Sequence, residues 1–183
     1  IPNAQWLVLF GDDINHSHCL SQRNPFKTFR IMILHWTPFD SALYHQSMKL
    51  RETVLRHPLG MKFTQEDLDI EQHQNHLVIY SWKKRVIGGL SLDGLSTASV
   101  KLRQMWVLPE YQGMGVGRKG VKEAHRLAKS HKAEGIYCHA RENAMGFYEK
   151  MLYSKEGRPF LEVGLTHYVM RYRLTYNEDE IHG

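Results

Sequence analysis

The chain has 183 residues, 42% hydrophobic and 23% charged, which suits one globular domain with a buried core. No stretch reaches the apolar length of a membrane span or has the pattern of a signal peptide. Its two cysteines, Cys19 and Cys138, are too few for a disulfide framework, so a cytoplasmic protein with no membrane partner is expected. The net charge of +5 comes from basic residues spread among acids, which argues against a nucleic-acid partner and leaves a weak field that favours anionic ligands.

Residues 1–31 show no sustained period and contain no Met, the first being Met32. We read 1–31 as a non-native or poorly ordered extension and 32–183 as the domain. His16-Ser-His18-Cys19 lacks the second ligand pair that a metal cluster needs. Met32 to Pro38 then reads as a strand and Asp40 to Arg56 as a helix, with Asp40 as N-cap and Leu43, Leu50 and Val54 on one face. His57 to Gly60 is a loop, and Thr64 to Asp69 a short capped turn of helix. His73 and His76 have a spacing that arises by chance among 12 histidines, so no metal site is expected.

Leu77 to Trp82 and Val86 to Leu92 read as strands joined by the polar turn Lys83-Lys84-Arg85. Gly88-Gly89 marks a bulge or a close approach by another backbone or a ligand. Ser99 to Leu108 is the next strand, and strict alternation puts Arg103, Met105 and Val107 on one face and Leu102, Gln104, Trp106 and Leu108 on the other. A glycine-dense loop follows, Gln112-Gly113-Met114-Gly115-Val116-Gly117, running into a helix from Met114 to His131. Its buried stripe is Gly117, Gly120, Val121, Ala124, Leu127 and Ala128. Glycines that free main-chain N–H groups at a helix N-terminus suit a pyrophosphate. Ile136 to Ala140 is a strand, Asn143 caps a helix with Ala144, Phe147, Tyr148 and Met151 inward, and Val163 to Leu174 is the last strand. The order implies a mixed α/β sheet with helices on both faces.

Gly115-Val-Gly117-Arg-Lys-Gly120 also fits a dinucleotide fingerprint, but the loop lies deep in the chain and not at the opening of a βαβ fold. No Gly-Lys-Ser/Thr follows, which excludes a P-loop. The run Val107-Leu-Pro-Glu-Tyr-Gln-Gly-Met-Gly-Val-Gly instead resembles the acetyl-CoA loop of the GNAT N-acetyltransferases. Asn143-Ala-Met-Gly-Phe-Tyr-Glu-Lys is similar to that family's later helix, at the expected distance. Leu152-Tyr153 departs from the usual Gly-Phe after that helix, and Leu152 is expected to resist a left-handed turn. Arg103, Cys138-His-Ala-Arg141, Val54-Leu-Arg56-x-Pro58 and Glu162-Val-Gly-Leu-Thr-His167 resemble the bacterial subgroup that includes glyphosate N-acetyltransferase.

The resemblance implies a mixed, mostly antiparallel central sheet flanked by helices and splayed at the cofactor site. It implies acetyl-CoA as cosubstrate, no metal, and direct acetyl transfer to a small, anionic amine, by a monomer or homodimer. Met105, Trp106, Val107, Gln112, Gly113, Met114, Gly115, Val116, Gly117, Asn143, Phe147 and Tyr148 would hold acetyl-CoA. Arg56, Arg103, Arg141 and His167 would line the acceptor pocket. His167 would be the base, since imidazole titrates near neutrality, with His139 the runner-up. A main-chain N–H near Val107 would bind the oxyanion, and Tyr148 would protonate the leaving thiolate. Cys138 reads as a buried thiol. A protein or peptide acetyltransferase and a non-catalytic acetyl-CoA sensor are the alternatives.

Overall fold

The computed structural model describes residues 6–7 and 31–176. Within them the β-rich runs form β1 (Trp6–Leu7), β2 (Met32–Thr37), β3 (Asn75–Ser81), β4 (Val86–Asp93), β5 (Ser99–Val107), β6 (Gly135–Arg141), β7 (Ser154–Glu162) and β8 (Leu165–Arg173). The helices are α1 (Ala42–Leu55), α2 (Gln65–Glu71), α3 (Val116–Ser130) and α4 (Met145–Lys150). One sheet runs β1-β2-β3-β4-β5-β6-β8-β7, with β5/β6 its parallel pair and its other pairs antiparallel. This is the mixed, mostly antiparallel α/β architecture that the sequence implied. The extension read over 1–31 and the His16, His18 and Cys19 group lie outside the described residues, apart from the two of β1 and Ile31.

Alternation along the strands sends apolar side chains to both faces. Leu77, Ile79, Leu90, Leu92, Val100 and Leu102 pack with Val121, Ala124 and Ala128 of α3. Val78, Val86, Trp106 and Leu108 pack with Leu43, Leu50 and Val54 of α1 on the opposite face. A side chain at Gly88 would meet the Trp106 carbonyl at 2.9 Å, and one at Gly89 the Leu77 carbonyl at 2.6 Å, so the expected close approach of backbone is present.

The alternation in β5 breaks at Gln104, whose φ of 48° lies in the left-handed region. Ser91 pairs with Arg103 but Gly89 pairs with Trp106, so β5 carries one extra residue there. The bulge reverses the parity. Arg103 therefore faces α1, whereas Met105 and Val107 pack against the α3-side core with Leu102. The expectation that Arg103, Met105 and Val107 share a face is corrected accordingly, and so is the grouping of Leu102 with Trp106.

Gln104 is held from behind. Its Nε2 donates to Glu71 Oε1 at 2.7 Å, and the same fully buried carboxylate accepts from Tyr44 Oη at 2.7 Å and from Arg51 Nη2 at 2.7 and 2.9 Å. His76 Nε2 donates to the Glu71 carbonyl at 2.9 Å, which gives that histidine a structural partner.

Three local readings change. Ser41, extended at φ −74° and ψ 158°, is the N-cap of α1 and accepts the Tyr44 N–H. Asp40, at φ 63°, is turned out of that position and bonds His45. Asn143 lies within the 3₁₀ turn Glu142–Ala144, past the point where a cap forms, and α4 starts with no side-chain cap. Leu152 does adopt the left-handed conformation, at φ 65°, with its N–H on the Glu149 carbonyl and the Tyr153 N–H on the Tyr148 carbonyl. That pair of bonds is a Schellman ending, and the Leu152 side chain lies 79% exposed. Strand β7 escaped the sequence reading because Ser-Lys-Glu-Gly-Arg-Pro-Phe-Leu-Glu has no apolar alternation; main-chain pairing to β8 alone makes it a strand.

Urea unfolding tests two of these features. Leu152→Gly removes the left-handed strain and is expected to stabilise the chain by about 1 kcal/mol. Glu71→Ala leaves Arg51 buried and unpaired and is expected to cost about 3–5 kcal/mol by the same measurement.

Candidate active site

Strands β5 and β6 pair only from Ser99–Leu102 to Gly135–Cys138 and then separate. Beyond that point β5 stays with β4 as far as Val107, and β6 stays with β8 as far as Arg141. The wedge between them opens into a cleft of about 480 Å³ bordered by the C-terminal end of α1. The Leu108 N–H donates to the Ile87 carbonyl of β4. Because successive N–H groups of a strand point to opposite edges, that of Val107 points into the wedge. Gln112 Nε2 donates to the Val107 carbonyl on the same edge, at 3.2 Å.

The glycine loop lies above this wedge. Gly113 and Gly115 have φ of 72° and 80°, and a side chain built on either would meet no atom within 4 Å. Gly115 is the N-cap of α3 and supplies no side-chain cap, so the first-turn N–H groups from Val116 onward have no side-chain cap bond. The open space and free donors fit a pyrophosphate. Gly117 differs: a Cβ there would lie 2.6 Å from the Met105 methyl, so its missing side chain makes room for that methyl and for the Phe147 ring.

The cleft brings together Arg56, Arg103, Arg141, His139 and His167 from the α1 side. Met105, Val107, Gln112, Asn143 and Tyr148 also border it. Trp106 touches it, but its indole is core on the α1 face. Phe147 lies outside the lining, against Gly117 and Tyr148. Gly113, Met114, Gly115 and Val116 form the loop and helix start rather than the cleft wall.

His167 is opposite Arg141 in the ladder and 5% exposed. Its Nδ1 lies 2.9 Å from the Leu165 carbonyl, which can only accept, so Nδ1 carries the hydrogen and the neutral ring has its lone pair on Nε2. His139 Nδ1 is 2.8 Å from Glu162 Oε2 and 3.4 Å from Lys101 Nζ. One nitrogen cannot donate to the carboxylate and accept from the ammonium at once, and the shorter contact assigns the hydrogen to Nδ1.

The arginines differ in what balances them. Arg56 donates to Asp67 at 3.0 Å and lies over the Phe63 ring, and Arg103 is 3.4 Å from Asp93. Arg141 donates to the Leu55 carbonyl at 3.1 Å and has no carboxylate partner among the described residues. Burial, with the neighbouring Arg56, holds its pKa below the usual guanidinium value. Lys101, which the sequence reading passed over, borders the same cleft, and burial and Arg103 lower its pKa. Its position two residues before Arg103, on one strand face, was the signal available.

The α3 side of the wedge is apolar. Tyr148 is 7% exposed, with its hydroxyl 3.6 Å from Met105 Sδ, and burial, reinforced by Cys138, pushes its pKa well above that of free tyrosine. Cys138 is buried on the neighbouring strand, as its apolar surroundings in the sequence suggested.

The GNAT acetyltransferase domain family matches residues 55–174. The chain is similar to the uncharacterised protein YyaT of Bacillus subtilis, with 24% identity over 73% of this chain and 90% of that protein. Its fold is similar to that of a Lactobacillus plantarum protein assigned as an N-acetyltransferase, with TM-score 0.69, 21% identity, and 79% and 99% of the two chains covered. It is also similar to a GNAT family acetyltransferase of Elizabethkingia anophelis with acetyl-CoA bound, with TM-score 0.59, 13% identity, and 78% and 98% covered. Among the described residues no helix is long and apolar enough to cross a membrane.

Burial pushes the Cys138 thiol up to about 12, against a partial offset from Tyr148, so it holds its proton throughout the neutral range. Iodoacetamide at about pH 8 is expected to leave Cys138 unmodified in the native chain and to label it after denaturation. Peptide mass spectrometry separates its label from that of Cys19; rapid labelling of the native chain would contradict the assignment.

Proposed function

The chain belongs to the GNAT acetyltransferase family, and from that premise we propose that it moves acetyl from acetyl-CoA to the amino group of a small anionic molecule, both bound together. The acceptor class rests on Arg141. A guanidinium that is half-buried, beside Arg56 and without a carboxylate, sits at a cost that an anionic ligand relieves. The three arginines disfavour a lysine side chain in a peptide as acceptor.

The Gly113–Gly117 segment fits the pyrophosphate of acetyl-CoA, whose thioester supplies an activated acyl group. The Elizabethkingia anophelis relative holds acetyl-CoA in a fold of this kind, which supports the fit. The remaining chemistry belongs to this chain's residues. His167, with Nδ1 anchored on Leu165, offers Nε2 to the ammonium proton of the acceptor and so frees the amine lone pair. The Val107 N–H, turned into the wedge, donates to the acyl oxygen as negative charge builds there. Tyr148 stays protonated at neutral pH and serves as the donor to the departing sulfur. Arg56, Arg103 and Arg141 hold the acceptor's anion and so fix the amine at one distance from the acyl carbon.

The test is acetyl-CoA turnover, followed as free thiol, against amino acids, amino phosphonates, polyamines and lysine peptides. Activity confined to anionic amines is expected. Arg141→Gln should raise KM about tenfold or more with little change in kcat. Tyr148→Phe and His167→Ala should each lower kcat by about 10²-fold or more. Turnover of polyamines or lysine peptides alone would overturn the acceptor class, and tight binding without turnover would point to a sensor.

A further inference from the structure

Resting on that acceptor reading, we propose that Glu162 docks the acceptor's ammonium group, which makes the cleft a zwitterion site with the cation at Glu162 and the anion at Arg141. An aliphatic amine reaches the enzyme protonated at neutral pH. It enters a cleft bordered by Arg56, Lys101, Arg103 and Arg141, a field that repels it. Among the described residues lining that cleft, Glu162 is the one carboxylate. Asp67 and Asp93, the acids nearest the arginines, are engaged by Arg56 and Arg103 and stand outside the lining.

The placement of Glu162 fits the task. It closes β7, and its Cα partner is Leu165, the first residue of β8. The Leu165 carbonyl is the group that orients His167. One hairpin end therefore carries the docking carboxylate and sets the tautomer of the base. Glu162 Oε2 takes the His139 Nδ1–H, while Oε1 has no hydrogen-bond partner among the described residues and the side chain is 44% exposed. Burial alone would raise the pKa of this carboxyl; the bond from His139 and the positive charge around it, Lys101 included, outweigh it and hold it below the usual range. Lys101 and His139 thus keep Glu162 ionised, and Oε1 is left to accept an ammonium N–H. One proton then passes from the ammonium nitrogen to His167 Nε2, the N–H electron pair stays on nitrogen as the nucleophile, and Glu162 remains a carboxylate.

The experiment compares two ligands by titration calorimetry on the full chain. 2-Aminoethylphosphonate has both charges, and ethylphosphonate lacks the ammonium. The wild type should bind the zwitterion about tenfold or more tightly than ethylphosphonate, as a charge-assisted bond implies. Glu162→Gln should erase that preference while leaving ethylphosphonate binding unchanged, and Glu162→Asp should keep part of it. Equal affinities in the wild type, or an equal loss of both ligands in Glu162→Gln, would overturn the assignment. If the wild type binds neither phosphonate, the anionic-acceptor reading fails and Glu162 falls with it. If ethylphosphonate binds, and Arg141→Gln weakens it, that reading stands whatever becomes of Glu162.

Discussion

A carboxylate with no access to water shapes this molecule. Glu71 is buried to 0% exposure, a state that costs several kcal/mol unless its oxygens are fully bonded. Tyr44 and Arg51 reach it from α1, and Gln104 reaches it from β5. The third of these bonds holds a residue with φ of 48° inside a strand, so the bulge in β5 is anchored from outside the sheet. The bulge reverses the parity of β5 and coincides with its parting from β6. The inward Val107 N–H and the turn of Met105 and Val107 toward the α3 side lie past that single anchored distortion, which sits at the mouth of the wedge.

The wedge joins two unlike environments. On the α1 side the sheet face is charged, with arginines, a lysine, two histidines and a glutamate converging from four strands and one helix end. On the α3 side Tyr148, Cys138 and Met105 lie in apolar packing that keeps the hydroxyl and the thiol protonated. The proposed reaction therefore runs from a charged side suited to an ionic acceptor to a side of neutral donors. Both histidines are fixed through Nδ1, one by a main-chain carbonyl and the other by a carboxylate, and each is left with Nε2 as its basic nitrogen.

The edge hairpin ties sheet architecture to the chemistry of the cleft. Strand β7 buries almost nothing and persists through its ladder to β8, yet its last residue, Glu162, sits across from the residue that orients His167. Little core energy is invested in β7, so in the proposed site its contribution is positional.

Much of this was legible in the chain itself. The glycine loop, the strand before it and the amphipathic α3 follow from backbone freedom and apolar period, which are local properties. Those features with the Phe-Tyr helix identified the family and the arginine and histidine candidates. The parity flip at Gln104, the strand β7, the N-cap at Ser41 and the left-handed Leu152 were not legible. Each is decided by a partner distant in sequence or by a fold-imposed turn: Glu71 for Gln104, β8 for β7, the Schellman bonds for Leu152. The chain by itself determined which residue types are available to chemistry of this class, because type and spacing are carried by the sequence. Only the tertiary structure decided which of them face one another and which charges are already balanced, because pairing across the sheet and burial set both.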